Sequence, residues 1–178
     1  MKKRSEVEIK DTWKLEDMVA SDSQWEQLFE EASSRVKQYA DYKGRLDESA
    51  DTLYACLKFD DEISRETELL YVYSRMRSDQ DTADQKYQDM FSRAQSLSYR
   101  ASEHSSYIVP EILAMPKETL DAYMKADNGI SHFKRALEMV LNKREHTLSG
   151  EMEELLAQSY DATQGASQIF TLSLIHIS

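Results

Sequence analysis

Four glycines and two prolines are spread over 178 residues, and this scarcity constrains the fold more than any other feature of the chain. Strand-and-turn architectures need frequent chain reversals, and glycine and proline are the residues that make them. The expectation is an all-α protein, a multi-helix lobe of six to eight antiparallel amphipathic helices joined by short polar breaks.

The apolar periodicity agrees. In "SDSQWEQLFEEASSRVKQYADYKG" the residues Trp25, Leu28, Phe29, Ala32, Val36, Tyr39 and Ala40 follow the three-then-four spacing of one helical face. Ser21 with Gln24 reads as a capping box, and Gly44 suits the left-handed position after the helix end. The next stretch carries Leu53, Ala55, Leu57, Ile63, Leu69, Leu70, Val72, Tyr73 and Met76, interrupted by the acidic run Asp60 to Glu62. That run is expected to be a solvated break, with one helix ending near Phe59 and a second running to about Arg77. After "SDQD" another helix is expected, capped by Asp81, with Asp84 adding charge that the helix dipole favours. It places Tyr87, Met90, Phe91, Ala94, Leu97, Ala101 and Ile108 on one side, with Ser98 and Ser105 allowing close helix contact. Pro110 and Pro116 mark breaks, because proline lacks the donor a helix interior needs. Two further faces follow: Phe133, Ala136, Leu137, Val140 and Leu141, then Met152, Leu155, Leu156, Ser159, Tyr160, Thr163 and Phe170.

Charge narrows the partners. A net charge of −11 repels a nucleic-acid backbone and an anionic membrane surface, so neither is expected as a partner. No stretch reaches the roughly 20 apolar residues of a spanning helix, and the N-terminus has no apolar segment behind its basic residues. A cytoplasmic protein is expected. The single cysteine, Cys56, has no internal disulfide partner, and in "LYACLKF" it reads as a small core residue.

The search for chemistry finds no catalytic set. His104, His132, His146 and His176 lie far apart, and none has an Asp or Glu three or four residues away as zinc and di-iron helices require. There is no H-E-x-x-H, no phosphate-binding glycine loop and no G-x-S-x-G elbow. His146 is expected to order a loop between two helices. No residue is therefore assigned to catalysis, metal binding or substrate binding.

Four phrases in order nevertheless resemble one family. "DTWKLEDMVASDSQWEQLFEE", "YVYSRMRSDQDTADQKYQDMFSRAQSL", "SSYIVPEILAMP" and "LNKREHTLSGEMEELLAQ" are similar to the N-terminal part of oligoendopeptidase F, the bacterial branch of the thimet-oligopeptidase-like zinc peptidases. The resemblance covers about Asp11 to Phe170. It implies a much longer parent enzyme whose zinc is held by an H-E-x-x-H helix and a downstream Glu in a C-terminal catalytic lobe. It further implies that residues 11–171 form the N-terminal helical lobe, preceded by a flexible segment 1–10. That lobe would help enclose a cleft that admits oligopeptides, and alone would hold no zinc. One departure from the family phrase concerns the last helix: Gly150 and Met152 interrupt the usual acidic turn after Ser149, which predicts a weaker start.

The chain ends in seventeen residues, Ala162 to Ser178, without Asp, Glu, Lys or Arg. The family likeness stops near "QIF", and "LSLIHIS" matches the translation of a transposon-end sequencing adapter. Leu172 to Ser178 are expected to be a non-native tail, which leaves His176 without a role. Ala162 to Thr171 would form a helix buried against the missing lobe. The lack of any site keeps a second class open, a stand-alone helical scaffold or adaptor without catalysis.

Overall fold

The computed structural model describes residues 7–8, 12–80, 82, 84–126 and 129–144. The expectations on residues 1–6, 9–10, Asp81, His146, the Ser149 cap, the Met152–Phe170 face and residues 172–178 lie outside them. Six α-helices and no strand occur among the described residues. They are α1 (Asp22–Arg35), α2 (Ala50–Gln80), α3 (Gln85–Ser105), α4 (Ile108–Ala114), α5 (Lys117–Tyr123) and α6 (Lys134–Arg144). Short 3-10 turns occupy Leu15–Asp17, Val36–Asp41 and Ile130–Phe133. The chain divides into two compact units, residues 1–137 and 138–178, and the packing described below belongs to the first. In the second unit, 138–144 form the end of α6, where Met139 is exposed.

The start of α1 is built as its sequence predicts. The Ser21 hydroxyl accepts from the Gln24 N–H at 3.2 Å, and the Gln24 carboxamide oxygen accepts from the Ala20 N–H at 2.8 Å. The return bond of the capping box thus lands one residue before Ser21, on a backbone N–H just outside the helix. Trp25, Phe29, Ala32, Val36 and Tyr39 are buried as expected, whereas Leu28 is half-buried and Ala40 exposed. Gly44 has φ +77°, the left-handed conformation that glycine adopts without a Cβ penalty.

The acidic run does not break the chain. α2 is one helix of 31 residues, about 46 Å long at 1.5 Å per residue. Asp60 accepts from the Tyr39 hydroxyl at 2.7 Å, Asp61 pairs with Arg65 at 2.8 Å, and Glu62 pairs with Arg35 at 2.7 Å. Each carboxylate therefore has a donor from the next turn or from the 22–41 segment, and nothing requires the helix to open. The buried stripe also differs from the expected one. Leu53, Cys56, Phe59, Ile63, Thr67, Leu70, Tyr73 and Ser74 are buried, while Ala55, Leu57, Leu69, Val72 and Met76 are half-buried. Two polar residues enter that stripe because their hydroxyls donate to their own helix: Thr67 to the Ile63 carbonyl at 2.9 Å and Ser74 to the Leu70 carbonyl at 2.8 Å.

The cap of α3 is Asp84, three residues beyond the expected position, its carboxylate accepting from the Lys86 N–H at 2.9 Å. It ends at Ser105, so Ile108 opens α4 and is not the last residue of α3. Pro110 sits in the first turn of α4 and Pro116 caps α5, both positions where a missing N–H costs nothing.

Pairings across the bundle fix its directions. Along α1, Asp22 meets Tyr73, Trp25 meets Leu70, and Arg35 meets Glu62 and Glu66, so α1 runs antiparallel to α2. Along α3, Tyr87 meets Arg77 and Phe91 meets Tyr71, so α3 is antiparallel to α2 as well. At the junction of the three, Trp25 stacks on Phe29 with centroids 5.2 Å apart and donates its indole N–H to the Leu70 carbonyl at 3.0 Å. Arg93 of α3 lies 4.4 Å from the Phe29 ring and holds Glu26 of α1 at 2.9 and 2.7 Å through two guanidinium nitrogens. That bidentate pair over an aromatic face is a geometry only arginine provides.

Candidate functional site

The residues the sequence singles out do not converge. Cys56 is fully buried on α2, its sulfur 3.8 Å from the Tyr107 hydroxyl, and burial pushes its thiol up to about 11. A thiol held that firmly protonated is a packing residue and not a nucleophile. His104 is exposed near the end of α3, and His132 is exposed with Nδ1 2.9 Å from the Gly129 carbonyl. The carboxylates Asp60 to Glu62 are taken up by Tyr39, Arg65 and Arg35. No group of three His, Cys, Asp or Glu side chains able to hold a metal occurs among the described residues, which therefore do not fit a zinc site.

A separate concavity opens on the α2–α3 face. An open groove of about 500 Å³ lies between α2 and α3 beside the 3-10 turn, lined by Asp60, Ser64, Thr67 and Glu68 on one side and Ser98 and Ser102 on the other. Ser98 was expected to bring the helices into close contact, as was Ser105. Both also border this groove. Its hydroxyls are poor nucleophiles: Thr67 and Ser98 donate to carbonyls of their own helices, and no histidine stands beside them. The Tyr39 phenol at its edge is pushed far above the usual tyrosine range, first by burial and then by its hydrogen bond to Asp60. Among the described residues the groove presents hydroxyls and the carboxylates of Asp60 and Glu68.

Comparison with known proteins supplies what the geometry alone does not. The Oligopeptidase F family profile matches residues 111–175. Oligopeptidase PepF of Bacillus subtilis (strain 168) is 35% identical over 169 residues, which is 95% of this chain and 25% of that protein. The chain belongs to the oligopeptidase F family, as its N-terminal region. The plasmid-encoded oligoendopeptidase F of Lactococcus lactis subsp. cremoris is 30% identical over 172 residues, covering 96% of this chain and 29% of the relative. The crystal structure of oligoendopeptidase-F from Enterococcus faecium superposes with a TM-score of 0.68 at 32% identity, over 84% of this chain and 30% of that one. A solved structure from Chlamydophila abortus, 20% identical, shares the fold alone, with a TM-score of 0.78 over 95% of this chain and 29% of that one. The chain spans between a quarter and three-tenths of the length of the oligopeptidase F relatives it matches and corresponds to part of a larger oligopeptidase. No helix among the described residues is long and apolar enough to cross a membrane.

Proposed function

We propose that this chain is the N-terminal helical lobe, residues 11–171, of a cytoplasmic zinc-dependent oligoendopeptidase, with 1–10 a flexible lead and 172–178 a non-native tail. The observation that carries the reading is a 35% identity sustained over 95% of the chain yet over only 25% of the relative. In this reading the lobe supplies walls and the chemistry lies elsewhere. Its helices help enclose the cleft, exclude folded proteins by their bulk and admit short peptides, while the partner lobe brings the metal ligands and the base. The helical bundle suits that role, because three long helices cross-tied by charged and aromatic pairs form a rigid wall.

The experiment is a chimera. Residues 11–171 replace the corresponding N-terminal quarter of the Bacillus subtilis relative, and cleavage of a quenched fluorescent oligopeptide is measured beside that of the 178-residue chain alone. The expected outcome is chelator-sensitive cleavage by the chimera, with neither cleavage nor stoichiometric zinc for the chain alone. Cleavage by the chain alone would overturn the division of labour. A folded chimera that binds zinc but cleaves nothing would overturn the role as a cleft wall and favour the scaffold.

A further inference from the structure

One carboxylate at the edge of the bundle gathers parts of three helices, a feature separate from the peptidase reading. Asp22 is the first residue of α1. Its Oδ1 accepts from the Tyr73 hydroxyl at 2.9 Å, and its Oδ2 accepts from Lys86 Nζ at 2.5 Å and from the Tyr87 hydroxyl at 3.3 Å. The Arg77 guanidinium stands 3.6 Å from Oδ1. Tyr73 and Arg77 come from the last turns of α2, and Lys86 and Tyr87 from the first turn of α3. Arg77 is itself fixed, donating from Nε to the Tyr73 hydroxyl at 3.1 Å and lying 5.3 Å from the centres of both the Tyr73 and Tyr87 rings. Asp84, the cap of α3, adds negative charge near Lys86. The start of α1, the end of α2 and the start of α3 thus converge on a single ionisable group.

We propose that Asp22 is an acid-released latch: its ionised carboxylate clamps α1 to the α2–α3 hairpin, and protonation frees the starts of α1 and α3 together. Burial works against the charge, but hydrogen bonds from Lys86 and Tyr73 and the nearby cations Lys86 and Arg77 outweigh it, holding the carboxyl below the ordinary aspartate range. A carboxyl with a lowered folded pKa contributes stability that is fully present above its unfolded value, near 3.9, and is lost as pH falls through the folded one. The latch is therefore closed at neutral pH and opens only in acid. A charge at the first position of α1 also favours the helix dipole, and that effect alone would need neither Lys86 nor Tyr73.

The test uses the 178-residue chain and its Asp22→Asn, Lys86→Met and double variants. Denaturant midpoints are followed from pH 7 to pH 2, and amide exchange is read by segment. Both single variants should lower the midpoint at pH 7, the double variant should lose less than the sum, and the gap between wild type and Asp22→Asn should close as pH falls below the ordinary aspartate range. At pH 7, Asp22→Asn should lose exchange protection over 22–29 and 85–91 together while the centre of α2 keeps its own. Additive losses, a gap that persists at pH 2, or loosening confined to α1 would each overturn the latch. If Asp22→Asn fails to fold, Lys86→Met alone decides: a flattened acid dependence supports the latch, and one equal to that of wild type refutes it.

Discussion

The α1–α3 bundle and the run from α4 through the Ile130–Phe133 turn are held together by different means. In the bundle, long helices meet side chain to side chain: Arg35 on Glu62 and Glu66, Arg93 on Glu26, and Asp22 on Tyr73 and Lys86. The second region contains two helices of seven residues each, too short to be stable alone in water. It is pinned instead to the backbone of the segment that follows α1. Glu111 accepts from the Gly44 N–H at 2.7 Å, Tyr123 donates to the Asp47 carbonyl at 2.7 Å, and the neighbouring Tyr107 donates to the Tyr39 carbonyl at 2.8 Å. Long helices can find their register through repeated side-chain contacts. Short ones take their position from fixed points of a neighbouring backbone.

Deleting the centre of each region should separate them most. Trp25 is fully buried, stacked and hydrogen-bonded, so Trp25→Ala should cost about 3–5 kcal/mol. Leu120 of α5 is as fully buried but is a smaller, aliphatic side chain with no hydrogen-bonding group, and Leu120→Ala should cost about 2–3 kcal/mol. Urea unfolding of both variants measures the difference, and equal losses would erase the contrast.

A backbone change should act next most strongly, and only in the second region. Gly129 has φ +90°, and a Cβ there would lie 3.0 Å from the Tyr54 ring. Gly129→Ala should therefore cost about 1–3 kcal/mol, from the left-handed backbone and from displacement of Tyr54. A loss below 0.5 kcal/mol, on the order of an ordinary surface change, would mean the turn relaxes freely. Tyr107→Phe removes the bond to the Tyr39 carbonyl while keeping the ring, and about 1 kcal/mol should follow. That variant tests whether the backbone pins matter, because a side-chain-dominated interface would hardly register it.

The smallest effect is expected outside both regions. Removal of residues 172–178, proposed as a non-native tail, should move the thermal midpoint by less than about 2 °C. A larger fall would count against that proposal.

What the sequence determined by itself was local. The helical class followed from the scarcity of glycine and proline, the Ser21–Gln24 cap from its spacing, and the left-handed Gly44 from its place after the helix. The buried face of α1 followed from its period, and the family from four phrases in order. Each is a property of neighbours within a few residues or of the chain read as text. Tertiary structure decided the rest. Asp60, Asp61 and Glu62 read as a break because three adjacent acids normally seek water, and α2 runs through them because Tyr39 and Arg35, far off in sequence, supply donors. Thr67 and Ser74 are polar, yet they are buried, and their own helix accepts their hydroxyl protons. The groove beside Ser98 and the meeting of α1, α2 and α3 on Asp22 were invisible for the same reason. Which charges find partners depends on helix directions and crossings, and those are set by contacts between residues that the sequence keeps twenty to seventy positions apart.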